Sequence, residues 1–152
     1  MIVSGSDDGT VRVWDAVTGD PLASMRDHAW GVAIGRAGDR DVIVSGSSCE
    51  TVQVWDAVTG DPIGGPLTNY YGGAFAVAIG RAGHRDVIVS GGDGGALRVW
   101  DAVTGDPIEG PLTGHGDRVW TVAIGRAGDR DVIVSGSADG TVIAREHRPA
   151  PA

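Results

Sequence analysis

The sequence contains no lysine, a single cysteine and few aromatics, which make up 5% of its residues. All 12 of its basic residues are arginine, a bias we read as compositional rather than chemical. Cys49 alone cannot close an intramolecular disulfide, and one thiol does not make a metal centre. No apolar run approaches the ~20 residues that cross a bilayer as a helix. The opening MIVSGSDDGT lacks the basic start and long apolar stretch of a secretory signal. A cytoplasmic protein is therefore expected. Basic residues are outnumbered by 20 acidic ones, giving a formal charge of −8. Such a surface repels phosphate backbones, so nucleic acid and anionic membranes are not expected as partners.

What the sequence has is repetition. Its 152 residues suffice for one ordinary domain. The 41% of hydrophobic residues recur in regular clusters, against disorder. IVSG occurs at Ile2–Gly5, Ile43–Gly46, Ile88–Gly91 and Ile133–Gly136. VWDAVTGDP follows at Val13–Pro21, Val54–Pro62 and Val99–Pro107, and VAIGRAG stands at Val32–Gly38, Val77–Gly83 and Val122–Gly128. The order of the three segments never changes. Each unit reads as four strands. VAIG is short and apolar, and the turn RAGDRD leads into the β-branched DVIVSG. A second Gly/Asp turn such as SDDG opens TVRVWD, whose alternation suits a half-buried strand. Gly and Pro in AVTGDP break the chain, and PIEGPL supplies an outer strand.

A period of ~40–45 residues with four strands and a Trp-Asp pair is a propeller-blade signature. The pairs Trp14–Asp15, Trp55–Asp56 and Trp100–Asp101, with Gly114–His115, make the sequence resemble WD40-repeat proteins over nearly its whole length. The expected fold is all-β: four-stranded antiparallel blades of a WD40-type β-propeller, an incomplete array that closes by homo-oligomerisation. The array spans 1–145, with blades at 1–25, 26–68, 69–112 and 113–145, and a disordered tail follows at 146–152. The resemblance further implies a hydrogen-bonded set in each blade, made of a His before the first strand, a Ser in the second, an Asp in the next turn and a Trp in the third. Blade one offers Ser4, Asp8 and Trp14. Blade two offers Ser45 and Trp55, with Cys49 at the Asp position. Blade three offers Ser90 and Trp100, with Gly94 for Asp and Tyr70 for His. Blade four offers His115, Ser135 and Asp139, but Arg145 replaces Trp. No blade holds the full set.

The repeats begin at the second strand of blade one and end at the third strand of blade four. Edges of this kind bind something or aggregate, so the expected partner is a second or third copy of the chain. Two arrangements are open. Four blades from each of two chains give an eight-bladed ring. Alternatively, the strand near Val119–Gly125 of one copy completes the Ile2–Leu22 blade of the next, which leaves three blades per chain and six or nine in the ring.

Catalysis finds little support. Aspartates number 17, yet most lie in the repeated turns TGDP, GDRD and SDDG, where Asp caps its own backbone. The histidines His28, His84, His115 and His147 form no metal-ligand cluster. SGGDGGA at 90–96 lacks the Lys and helix of a phosphate loop, and no serine has the setting of a nucleophile. No enzyme activity, metal or cofactor is expected. RAGDRD and DAVTGDP, on one face of the disc, hardly vary, whereas the loops of the other face differ strongly. That variable face carries Trp30, Tyr70, Tyr71, Phe75, Arg118 and Trp120. Trp30, Phe75 and Trp120 share one aligned position. Trp, Tyr and Arg are over-represented at binding hot spots, so these residues are the candidate contact patch; packing between blades is the alternative. The WD40 resemblance implies protein scaffolding, in bacteria often behind a kinase, NTPase or protease domain. A small ligand or glycan held by the channel aromatics is the second reading, and a remnant of a larger array with no separate function the third.

Overall fold

The structure is a computed structural model that describes residues 1–6, 8–27, 29–47, 51–68 and 73–147, with the backbone alone at 109–111. It holds four antiparallel sheets in succession. The first contains β1 (Ile2–Gly5), β2 (Thr10–Trp14) and β3 (Pro21–Arg26). The second runs from β4 (Ala29–Ala37) through β5 (Arg40–Ser47) and β6 (Thr51–Asp56) to β7 (Leu67–Thr68). The third contains β8 (Ala74–Ala82), β9 (Arg85–Gly92), β10 (Leu97–Asp101) and β11 (Pro107–Leu112). The last contains β12 (Val119–Ala127), β13 (Arg130–Ser137) and β14 (Val142–Glu146). The sheets thus hold three, four, four and three strands, each an up-and-down meander. β14 takes in Glu146, and His147 is buried, so the last blade ends two residues beyond the expected limit of the array at 145.

The turns explain the meanders. Gly38, Gly83 and Gly128 have φ near +65°, the left-handed value that RAGDRD needs to reverse the chain in two residues. In the AVTGDP turns the Asp15, Asp56 and Asp101 carboxylates each accept two backbone amides, those of Val17 and Thr18, Val58 and Thr59, and Val103 and Thr104. These aspartates are structural caps.

Blades stack through their flat faces. Val42, Val44, Val52, Val54, Ile88 and Trp100 fill the layer between blades two and three. Val11, Val13, Met25 and Ile43 fill the layer between one and two, and Val89, Leu97, Val99, Val119 and Ile133 that between three and four. Glycine lets the layers close. A Cβ on Gly46 would lie 2.7 Å from the Ala74 carbonyl oxygen, so no larger residue fits there without moving a backbone. β1 packs on β4, β4 on β8 and β8 on β12, and no comparable contact joins β12 to β1. The four blades therefore form an open arc. No helix among the described residues is long and apolar enough to cross a membrane.

Candidate functional site

The aligned aromatics stand at the first residues of the inner strands, and a shared backbone defect aims them. β4 pairs Ala29 with Ser47 and Gly31 with Gly46, which leaves Trp30 as an extra residue in a bulge. β8 skips Phe75 between Ala74 and Ala76, and β12 skips Trp120 between Val119 and Thr121. A bulge re-aims its side chain out of the pleat alternation, so all three rings leave the blade layers on one face of the arc.

There they meet. Trp30 stacks on Phe75 with centroids 4.1 Å apart and planes 19° apart, and Trp120 meets Phe75 edge-on at 5.8 Å. The Arg118 guanidinium carbon lies 4.2 Å from the Phe75 centroid and 5.2 Å from that of Trp120. Its Nε donates to Asp93 Oδ1 at 2.8 Å, which fixes the fork over the rings. Trp30 and Trp120 remain 42% and 55% exposed. The rings therefore do both things expected of them as alternatives: they pack across blades, and they leave a wide apolar surface toward solvent. Tyr70 and Tyr71 fall outside the described residues, as do His28 and Cys49. Asp93 was not anticipated as the partner of Arg118; the acidic residue in the otherwise glycine-rich turn GDGG was the available signal.

The hydrogen-bonded sets lie behind this surface. Trp14 Nε1 donates to Ser4 Oγ at 3.0 Å, Trp55 to Ser45 at 2.9 Å and Trp100 to Ser90 at 3.3 Å. In blade four His115 Nε2 meets Ser135 Oγ at 2.7 Å and Nδ1 meets Thr141 Oγ1 at 3.0 Å. Asp139 accepts the Thr141 hydroxyl at 2.5 Å, the Thr141 amide at 2.9 Å and the Gly116 amide at 2.8 Å. These donors, the Thr141 hydroxyl foremost and then the Gly116 amide, hold the Asp139 carboxyl far below its ordinary range. Asp8 binds Thr10 in the same way, at 2.6 Å to the hydroxyl, and is lowered chiefly by it. Arg145, in the Trp position of blade four, donates instead to the Thr113 carbonyl.

Blade two replaces the missing histidine with a residue that sequence comparison passed over. Ser45 Oγ donates to Asp27 Oδ2 at 2.5 Å while accepting from Trp55. The loop before β4 is short, and Asp27 sits two residues before the strand, where His115 precedes β12 by four. An acidic acceptor at the end of a shortened loop was the signal. Among the described residues no group of three or more His, Cys, Asp or Glu is placed to hold a metal ion.

Comparison with known proteins agrees with this geometry. The family profile described as WD40, "WD domain, G-beta repeat", matches residues 1–15 and 107–143. The crystal structure of the computationally designed Ika4 protein superposes with a TM-score of 0.69 at 32% identity, covering 95% of this chain and 83% of that one. The chain belongs to the WD40 repeat family. The crystal structure of the RRP9 WD40 repeats superposes with a TM-score of 0.78 at 21% identity, covering 93% of this chain and 43% of that chain, and shows the fold alone. No curated protein matches the sequence. WD40 propellers generally act as non-catalytic platforms for protein partners. In this WD40 array Trp30, Phe75, Trp120 and Arg118 form one partly exposed cluster at the starts of the inner strands.

Proposed function

We propose that the chain is a non-catalytic, cytoplasmic interaction scaffold that self-assembles into a closed propeller and docks a protein or peptide on its Trp30–Phe75–Trp120 face. The observation that carries the docking reading is the preorganised cluster itself. Three aromatics and an arginine, the residue types that dominate binding hot spots, are held by one another and by Asp93 with two indoles still open to solvent. Rigid rings already in place lose little side-chain entropy on binding. Among the described residues the opposite face presents the repeated turns, with the separate valines Val17, Val58 and Val103 exposed and no aromatic cluster. Self-assembly is favoured by the uncovered ends of the arc and by the likeness to a designed propeller.

A comparative pull-down tests the docking face. A partner held by the unmodified chain and by Val17→Ala but lost on Trp120→Ala, roughly tenfold or more in affinity as for a hot-spot residue, supports the reading. Binding that is equal in all three contradicts it. A glycan that quenches indole fluorescence, with no peptide or protein competing, would replace the protein reading with the sugar-binding one.

A further inference from the structure

Each blade locks onto the next through two contacts, and both are left half-made at the ends of the arc. In the first, an inner-strand glycine receives an isoleucine from the following blade. A Cβ on Gly35 would lie 2.6 Å from Ile79 Cγ2, and one on Gly80 would lie 3.1 Å from Ile124 Cβ. Gly125, the third member, has nothing within 4 Å, and Ile34, the isoleucine of blade two, is 39% exposed. In the second lock a turn amide is capped by an aspartate of the following blade. Gly38 N donates to Asp86 Oδ2 and Gly83 N to Asp131 Oδ2, both at 2.8 Å. Gly128 again has no neighbour within 4 Å of its Cβ position. Asp41, the matching aspartate of blade two, has a side chain 52% exposed, against 12% for Asp86 and 11% for Asp131.

The spacings agree. Gly125 and Gly128 are three residues apart, like Gly35 and Gly38, and Ile34 and Asp41 are seven apart, like Ile79 and Asp86. One placement therefore fills both sockets at once: β12 of one copy along the inner edge of β1 of another, in the position that precedes β4. We propose that two copies close the ring by this strand exchange, each chain contributing three blades, with β12 and its leading loop completing blade one of the partner. The proposal rests on the self-assembly reading and specifies its register.

Three further features fit this placement. His115 would enter blade one beside Ser4, Asp8 and Thr10, which occupy the positions of its present partners Ser135, Asp139 and Thr141. Asp8, Gly9 and Thr10 line an unfilled hollow of about 560 Å³ with Arg26 and Asp27. The set would then be complete, because Trp14 stands where blade four has Arg145. Ile2, 52% exposed, would move into the layer now filled by Ile133, against Val89, Leu97 and Val99. The exchange is nearly like for like. IVSGSDDGTV at 2–11 and IVSGSADGTV at 133–142 are identical at nine of ten positions. β12 therefore gains a better third strand and an outer strand, β3, while releasing β13 and β14. Those two are less buried than β5 and β6 or β9 and β10. The eight-bladed alternative leaves Gly125 and Ile34 facing a gap one strand wide. Six blades lie inside the range over which propellers close.

The test uses the full chain with Cys49→Ser as background. Ile34→Cys combined with Gly125→Cys should give, on mild oxidation, a covalent dimer on a non-reducing denaturing gel, since the equivalent pair within the chain approaches disulfide range. Gly125→Val, whose Cβ has no described atom within 4 Å in its own chain, should keep its strand content by circular dichroism and lose the dimer. An unmodified chain that is dimeric, fails to cross-link at 34 and 125 and stays dimeric with Gly125→Val overturns the strand exchange and leaves self-assembly standing. A monomeric unmodified chain overturns both.

Discussion

Ser45 is the residue on which blade two turns. It is fully buried, accepts from Trp55 and donates to Asp27. Ser45→Ala leaves a half-buried indole donor and a half-buried carboxylate without their shared partner. A fully buried group so orphaned costs about 1–3 kcal/mol, so a loss near the lower end, about 1 kcal/mol, is expected. Ser24→Ala, on the exposed side of β3, should stay within about 0.5 kcal/mol of the parent. Urea midpoints at unchanged m-values measure both, and equal shifts for the two would remove the tether from the account. The Ser–Trp part of this arrangement was legible in the sequence, because both residues recur at fixed positions in every repeat but the last. Asp27 was not. It occurs once, in a loop shortened by four residues, and a position without a repeat gives comparison nothing to align.

At the scale of the strand and turn, the acidic turns set the response to pH. Asp15 is lowered from its ordinary value of 3.8 by the Thr18 and Val17 amides, and Asp56 by those of Thr59 and Val58. Asp8 and Asp139 are lowered first by the hydroxyls of Thr10 and Thr141. A carboxyl that binds its proton more weakly in the fold than in the unfolded chain contributes stability in full above the unfolded value, and that contribution is lost as pH falls through the native one. Thermal midpoints should thus hold from neutrality to just above pH 4 and fall steeply below it; a midpoint that rises between pH 4 and pH 3 would contradict these caps. Strand order and turn positions could be read from the period alone, since Gly and Asp recur at each reversal. The bulges at Trp30, Phe75 and Trp120 could not. A bulge is a mismatch between two strands, visible only once their pairing is known. The sequence aligned the three rings, but only the mispaired residue explains why they leave the sheet together.

The whole molecule is an arc whose two ends are complementary, with knobs at Ile34 and Asp41 and sockets at Gly125 and Gly128. The repeat pattern shows that blade one has three strands, but steric complementarity depends on which side chains face the next blade, and that requires coordinates. Closure also bears on the docking face, because a ring would set two copies of the Trp30–Phe75–Trp120 cluster around one channel. Light scattering of the unmodified chain after size exclusion, at micromolar concentration, tests this most directly. The account predicts twice the 15.5 kDa of a single chain. A well-ordered species of 15.5 kDa at that concentration would contradict it.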